Sequence, residues 1–138
     1  DEYFWAQKGK GAWCNGNKLT TSALPELSDC LIVLALPYIE EEKLLSIVRK
    51  IGQLQGKMRG MRYLGAAALD MAYTAAGRMD ALILTNLEWW DIAAGLLIIQ
   101  EAGGLVTDFS NKAITKDYST LLAANQMVHQ ELLKILNT

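Results

Sequence analysis

Apolar and polar positions follow two different patterns along the 138 residues of this chain. Continuous apolar runs are typical of strands buried on both faces. They predict strands at residues 30–36, 61–64, 80–85, 105–108 and 120–124. Apolar positions three and four residues apart indicate helices. They predict helices at residues 40–52, 65–76, 91–102 and 128–136. The alternation favours an α/β fold, a layered α-β-α sandwich with helices on both faces of a mostly buried mixed sheet.

The boundaries of the predicted elements carry the turn and cap signals that such a fold needs. A glycine turn at residues 8–11 and the dipeptide Asn15-Gly16 predict a hairpin over residues 1–20. Pro37 and the acidic turn 40–42 precede the first helix, as the helix dipole favours. The chain opens at Asp1 without Met and inside a strand-like run, so we expect a piece of a longer protein in which residues 1–138 form one domain.

Composition argues against several classes of function before any motif is considered. The net charge is −2 and 20% of the residues are charged, which does not indicate a nucleic-acid-binding or membrane-surface protein. The stretch from Lys43 to Arg62 is basic, but a solvated helix face explains it better than nucleic-acid binding. The apolar run 92–99 is too short for a membrane span. Cys14 and Cys30 fit neither a disulfide framework nor a zinc pattern, which favours a reducing, cytoplasmic compartment.

One acidic side chain, Asp91, stands directly after two tryptophans at the start of a strongly apolar helix. The residues alone leave two interpretations open. Asp is a favoured N-cap, because its carboxylate accepts hydrogen bonds from the free backbone N–H groups of the first turn. A carboxylate fixed at the first turn of a rigid helix is also a well-placed ligand for a hard cation such as Mg²⁺.

Several stretches resemble the inositol monophosphatase family of Mg²⁺-dependent phosphatases. The run Trp90-Asp91-Ile92-Ala93-Ala94-Gly95, followed by Glu101-Ala102-Gly103-Gly104, is similar to the second signature of that family. Residues 8–16, 62–70, 75–80 and 123–125 resemble further family segments in the family's order. The likeness covers almost the whole chain and is strongest to bacterial members. It implies the fold of the C-terminal domain of an inositol monophosphatase.

The resemblance also implies roles for particular residues. Asp91 corresponds to an aspartate that ligates a catalytic Mg²⁺ ion. Gly65, Ala66 and Ala67 correspond to the backbone that touches the hydroxyl-bearing half of the substrate, and Trp90 would form a wall of the site. The implied substrate is inositol phosphate or a related small sugar or polyol phosphate, and the implied parent enzyme is a homodimer.

Parts of the family pattern are missing or altered. The other metal ligands of the family are a glutamate pair and an Asp-Pro-x-Asp-Gly-Thr turn that also holds the phosphate. The sequence contains no Asp-Pro and no Asp-Gly-Thr, so it resembles the C-terminal half of the enzyme without its N-terminal metal- and phosphate-binding half. Leu84 stands where inositol-specific relatives carry a glutamate, and Glu88 is the nearest replacement. We therefore expect the isolated chain to be inactive and the parent to prefer inositol 1-phosphate only weakly.

The remaining tryptophan, cysteine and histidine residues are expected to have structural roles rather than catalytic or ligand-binding ones. The four tryptophans are expected to pack between layers, and Cys14 to be an ordinary small side chain. His129 has no neighbour at ligand spacing and is expected to lie exposed or half-buried on the last helix. The alternative function is a non-catalytic α/β interaction or dimerisation module that kept the fold after losing the metal-binding half.

Overall fold

The computed structural model describes residues 1–36 and 40–137. The prediction that Pro37 precedes the first helix lies outside these residues. The strands are β1 Phe4–Gln7, β2 Gly11–Cys14, β3 Asn17–Lys18, β4 Leu31–Ala35, β5 Gly60–Arg62, β6 Ala81–Thr85, β7 Leu105–Thr107 and β8 Thr120–Ala124. The helices are α1 Glu41–Gly52, α2 Ala67–Ala75, α3 Trp89–Glu101 and α4 Gln126–Leu136, with a short 3₁₀ helix at Leu27–Asp29.

The larger of the two sheets has the strand order β5-β4-β6-β8-β7. Strands β5, β4 and β6 run parallel, whereas β8 is antiparallel to both of its neighbours. The sheet is therefore mixed, as predicted. All five residues of the central strand β6 are buried, which explains why its first four residues are all apolar rather than alternating with polar ones.

Helices cover both faces of the large sheet, which confirms the predicted α-β-α sandwich. On one face α2 and α3 pack through Met71, Ala75, Ile92 and Ile99 against alternate strand residues such as Leu82. On the other face α1 and α4 contribute a second apolar cluster. Its helix members are Ile47, Ile51, Val128, Leu132 and Leu136, which pack against strand residues including Ile83. The two clusters lie on opposite sides of β6 because successive strand residues point to opposite faces.

A smaller sheet of order β1-β2-β3 covers the outer side of α3. Phe4 and Ala6 of β1 point inward and pack against the α2/α3 cluster. The glycine turn that joins β1 to β2 is fixed to the end of α3, because the N–H groups of Gly9 and Gly11 donate to the two carboxylate oxygens of Glu101 (2.7 and 2.8 Å). These backbone hydrogen bonds lower the pKa of Glu101.

Helices α2 and α3 approach each other closely at Gly95. A Cβ atom at this position would lie 2.6 Å from both Cβ and Sδ of Met71, closer than real Cβ contacts come. Met71 has no exposed surface. Only glycine therefore permits the observed spacing of the two helices.

Several boundaries differ from the sequence-based predictions for local reasons. Helix α2 begins at Ala67 rather than at residue 65, because Gly65 adopts φ +80° and separates the helix from β5. Helix α3 begins at Trp89 rather than at residue 91. Helix α4 begins at residue 126, since the side chain of Asn125 accepts a hydrogen bond from the Val128 N–H (3.0 Å) and caps it.

Two predictions about side-chain burial were wrong. His129 has no exposed surface. Its Nε2 lies 3.0 Å from Oγ1 of Thr107, and Nδ1 has no hydrogen-bond partner among the described residues. Burial lowers the pKa of His129, so the imidazole is neutral in the fold. Trp90 does not pack between layers, because 76% of it is exposed.

Among residues 1–36 and 40–137, none of the helices has the length and hydropathy that crossing a bilayer requires.

The close approach at Gly95 predicts a stability difference between two Gly→Ala substitutions. Gly95→Ala should lower the free energy of unfolding by about 1–3 kcal/mol, because the added methyl group overlaps Met71. The control is Gly52→Ala in α1, where nothing lies within 4 Å of the new methyl group. That substitution should leave stability unchanged or raise it by up to about 1 kcal/mol through helix propensity. Equal effects in urea unfolding would contradict the steric account.

Candidate functional site

The carboxyl ends of the three parallel strands lie at one edge of the large sheet. Three connections leave this edge, after Ala35 of β4, after Arg62 of β5 and after Thr85 of β6. The latter two lead into the N-termini of α2 and α3. Ligands of open α/β sheets bind in the crevice outside the carboxyl ends of their strands, so this edge is the place where the fold favours a site.

A pocket of about 200 Å³ opens at this edge. Its lining consists of Ala35, Leu36, Tyr63, Gly65, Ala66, Ala67 and Leu87. The pocket therefore joins the β5–α2 connection, which holds the predicted substrate-binding residues, to the β6–α3 connection that leads to Asp91. Its walls are small or apolar side chains, so any polar contact to a ligand here comes mainly from backbone groups.

The residues Gly65, Ala66 and Ala67 form the entry to α2. Ala66 is the N-cap residue, with φ −144° and ψ 96°, and provides no capping hydrogen bond from its side chain. The first N–H groups of a helix have no partner within the helix, and here alanine leaves them to solvent or to a ligand. Backbone N–H groups at a helix N-terminus, together with the helix dipole, favour bound oxygen atoms that carry negative charge.

Asp91 is exposed in the first turn of α3, at the third helical position rather than at the N-cap. The N-cap residue is Glu88, whose backbone N–H donates to Oδ2 of Asp91 (3.2 Å). Asp91 therefore caps the helix by reaching back to residue 88, and the expectation that it occupies the N-cap position itself was wrong. A carboxylate can bind a cation through one oxygen while the other keeps this hydrogen bond, so the two interpretations from the sequence remain compatible.

Two tyrosines hold the connections at this edge in place. The Tyr118 hydroxyl donates to the carbonyl oxygen of Leu87 (2.8 Å), and the Tyr63 hydroxyl donates to that of Leu36 (3.1 Å). Burial raises the pKa of Tyr118 to about 12, and the charges of Asp91 and Glu88 act in the same direction. Tyr118 is therefore a neutral hydroxyl that donates at neutral pH. The sequence analysis missed both tyrosines, since neither lies in a recognisable pattern.

The other two predicted site residues are placed differently. Leu84 has no exposed surface and packs in the apolar cluster beneath α2 and α3. Its burial does not support a direct contact with a substrate, and the role of this position stays a prediction. Trp90 immediately precedes Asp91 on α3 and is exposed, so its role as a wall of the site also stays a prediction.

A second carboxylate, Asp70, lies in the first turn of α2 but is completely buried. Neither of its carboxylate oxygens has a hydrogen-bond partner in the described part of the chain. Burial alone raises the pKa of Asp70 to about 6. At neutral pH the fold therefore holds an unpaired buried charge, which costs free energy.

The described residues do not form a complete metal site. They contain no group of three or more His, Cys, Asp or Glu side chains that could hold an ion. Asp91 fits the chemistry of a hard divalent cation, because Mg²⁺ prefers carboxylate oxygens and water. The role of Asp91 as a metal ligand stays a prediction, and any further ligands would have to come from other residues or from water.

Three comparisons with known proteins agree with this fold. The sequence profile of the Inositol monophosphatase family matches residues 1–138. An inositol-1-monophosphatase of Mesorhizobium japonicum is 37% identical over 134 residues, which cover 97% of this chain and 50% of that protein. The crystal structure of the extragenic suppressor protein suhB from Bartonella henselae has a TM-score of 0.91 and 36% identity, covering 100% of this chain and 54% of that chain.

A further solved structure is that of an IMPase/NADP phosphatase complexed with NADP and Ca²⁺. It has a TM-score of 0.82 and 28% identity, covering 100% of this chain and 52% of that one. Because the family profile covers the whole sequence, the chain belongs to the inositol monophosphatase family. It spans about half the length of the curated relatives that it matches.

The buried charge of Asp70 predicts a pH-dependent effect of Asp70→Asn. The pKa is raised in the fold, so the unfavourable contribution of Asp70 is absent near pH 4 and grows as pH rises through about 6. Asp70→Asn should therefore stabilise the chain by about 1–3 kcal/mol at neutral pH, with the gain disappearing towards about pH 4. Urea unfolding across this pH range measures the effect, and Asp117→Asn at an exposed turn is the control. A gain independent of pH would show that ionisation of Asp70 is not its cause.

Proposed function

We propose that this chain is the C-terminal part of a Mg²⁺-dependent phosphomonoesterase that hydrolyses inositol phosphate or a related small sugar or polyol phosphate. One observation carries the proposal. In a chain that matches the family profile throughout, the fold brings the β5–α2 and β6–α3 connections to one pocket. The first holds the substrate-binding positions that the family resemblance implies, and the second leads to the implied metal ligand Asp91 in the first turn of α3.

Different groups of the chain would contribute to substrate binding in different ways. The backbone N–H groups at the start of α2, beyond Ala66, would bind hydroxyl or phosphate oxygens. The apolar walls at Leu36 and Leu87 would exclude water around the bound molecule. The tyrosine hydroxyl of Tyr118 would hold the β6–α3 connection, and with it the first turn of α3, at a fixed distance from the pocket. Such preorganisation places groups before the reaction begins and avoids an ordering cost during it.

Asp91 would provide one carboxylate ligand to a bound Mg²⁺ ion. A bound divalent ion in a phosphatase lowers the pKa of water and neutralises charge that develops on oxygen. Helix α3 keeps the carboxylate oriented through the hydrogen bond from the Glu88 N–H. The solved relative in complex with NADP and Ca²⁺ supports a divalent cation in this family, and the choice of Mg²⁺ is part of the proposal.

The choice of substrate follows from the scarcity of side-chain hydrogen-bonding groups in the pocket. No acidic side chain belongs to its lining in the described residues, and Leu84 offers none. Discrimination between polyol phosphates by a charged acceptor is therefore expected to be weak. We further propose a reducing, cytoplasmic location, which agrees with the free thiols of Cys14 and Cys30. The homodimer of the parent enzyme remains a prediction.

The alternative is a non-catalytic interaction module. It is favoured by the lack of a complete metal-binding cluster within residues 1–36 and 40–137. The two functions differ in one respect that can be measured. A phosphatase part gains activity when the missing ligands are provided, whereas an interaction module does not.

The first prediction is that the isolated 138-residue protein has negligible phosphatase activity with Mg²⁺. A two-metal phosphatase reaction requires several oxygen ligands for each ion, and the described residues provide too few. Release of inorganic phosphate from inositol 1-phosphate and from p-nitrophenyl phosphate is the measurement. Turnover that scales with the concentration of the protein and elutes with it during gel filtration would contradict the prediction.

The second prediction concerns Asp91→Asn in the longer parent protein. An asparagine can still accept the hydrogen bond from residue 88, but it lacks the charge that a cation requires. We expect kcat to fall by about 100-fold or more, with the thermal unfolding temperature unchanged. Asp117→Asn makes the same chemical change at an exposed turn and should leave kcat near the wild-type value. Near-normal activity of Asp91→Asn at saturating Mg²⁺ would assign Asp91 to helix capping alone.

A further inference from the structure

A groove opens on the face of the large sheet that α1 and α4 cover. Its volume is about 380 Å³, which lies within the range of small-molecule sites, about 300–1,000 Å³. The pocket at Ala66 and Leu87 shares none of its described lining residues with this groove. The groove is lined by α1, by the residue after β6 and by the start of β8, through Lys43, Ser46, Ile47, Asn86, Ser119 and Thr120.

Three side chains of the groove carry hydrogen-bonding groups that the fold does not use. The hydroxyls of Ser46 and Ser119 and the carboxamide of Asn86 form no hydrogen bond with the described residues. All three residues are exposed. A carboxamide both donates and accepts hydrogen bonds, and so does a hydroxyl. The groove can therefore offer several neutral donors and acceptors to a bound molecule.

Backbone contacts fix the spacing of Asn86 and Ser119. The Asn86 N–H donates to the carbonyl oxygen of Ser119 (2.9 Å). Asn86 has φ +49°, in the left-handed region, which asparagine adopts more readily than most residues other than glycine. In the adjacent pair of residues, the Tyr118 hydroxyl donates to the carbonyl oxygen of Leu87 (2.8 Å). The two polar residues therefore have their relative positions before a ligand binds.

A buried hydroxyl without a partner lies on the same face of the sheet. Thr85 has no exposed surface, and its Oγ1 has no hydrogen-bond partner in the described part of the chain. Ile83 packs in the α1/α4 cluster, so Thr85, two residues further along β6, points to that face as well. Its partner in the strand register is Thr120, which lines the groove. An unpaired buried hydroxyl costs free energy, and a polar atom bound beside it would reduce that cost.

Lys43 is the charged residue of the groove lining among the described residues. Its ammonium group lies 3.2 Å from a carboxylate oxygen of Glu40, and both side chains are mostly exposed. A salt bridge of this kind contributes little stability, so an anion in the groove can replace Glu40 as the partner of Lys43. Lysine binds phosphate as a point charge, whereas planar carboxylates are matched better by arginine. One ammonium group among hydroxyls and a carboxamide therefore fits a phosphate attached to a hydroxylated carbon skeleton.

We propose that this groove binds a small polyol phosphate at a site separate from the pocket at Ala66 and Leu87. The Lys43 ammonium group contacts the phosphate, and the polar side chains of Ser46, Asn86 and Ser119 hydrogen-bond to the hydroxyl groups. The groove lining contains no carboxylate among the described residues, so binding here requires no Mg²⁺. The site is independent of the proposed catalytic function.

The first test is an NMR titration of the isotope-labelled 138-residue protein with myo-inositol 1-phosphate in the presence of EDTA. We expect saturable shifts of the Ser46 and Ser119 amide signals. Inorganic phosphate and myo-inositol, which each carry half of the chemistry, should bind at least about fivefold more weakly. Shifts at Ala66 and Ala67 report on the other pocket, so the two sites are measured separately. Absence of shifts at Ser46 and Ser119, or equal affinity for inorganic phosphate, would overturn the proposal.

The second test compares two lysine variants in the same titration. Lys43→Ala should weaken binding by about tenfold or more, because a charge-assisted contact to the phosphate is lost. Lys57→Ala removes an exposed lysine that does not line the groove and should change the affinity by less than about twofold. Equal losses in the two variants would show non-specific attraction of the anion and would overturn the proposal.

The third test removes a neutral group of the groove. Asn86→Gly deletes the carboxamide, and glycine accepts the left-handed backbone at this position, so we expect the affinity to fall by about fivefold or more in a folded protein. Asn111→Gly is the control, since Asn111 is also left-handed (φ +62°) but lies outside the groove, and it should leave the affinity unchanged. Circular dichroism of each variant shows that it is folded. If folded Asn86→Gly binds as tightly as the wild type, the proposed site is wrong.

Discussion

The close approach of α2 and α3 at Gly95 is the contact on which the candidate site depends. Each of these helices begins at the carboxyl edge of the large sheet, one after β5 and the other after β6. The start of α2 and Leu87, which precedes α3, line the same pocket, and the spacing of the two helices helps to fix how far apart these groups lie. A side chain at residue 95 would overlap Met71, so that Met71 or one of the two helices would have to shift. Packing far from the pocket thus determines its geometry.

The candidate site combines groups that differ in how they are held. Asp91 is oriented by a short-range hydrogen bond within its own helix turn, whereas the entry to α2 is set by the left-handed conformation of Gly65. Tyr118 connects a distant loop to the β6–α3 connection. The conformation of each individual group therefore depends on interactions between neighbouring residues in the sequence. The relative positions of the groups depend on tertiary contacts. This division allows the described residues to keep the shape of the candidate site although they do not provide a full set of metal ligands.

Much of the fold could be predicted from the sequence, because the buried parallel strands read as continuous apolar runs and the helices as 3.6-residue repeats. The family resemblance indicated Asp91 and the backbone at residues 65–67 as site residues, and these roles stay predictions. The burial of His129 could not be predicted, since its hydroxyl partner Thr107 is 22 residues away and meets it only through the packing of α4 on the sheet. The helix start at Trp89 was missed because an acidic residue three positions inside a helix looks like an N-cap in the sequence.

The attachment of the glycine turn to Glu101 has a consequence for how the chain folds. A carboxylate in the last turn of a helix opposes the helix dipole and would fray that end if left in water. The N–H donors of Gly9 and Gly11 remove this penalty, while the same carboxylate fixes a turn whose glycines would otherwise sample many conformations. Residues 90 and 92 positions apart are thus ordered together. The hairpin and the end of α3 form one cooperative unit, and their amide protons should exchange with solvent as a group.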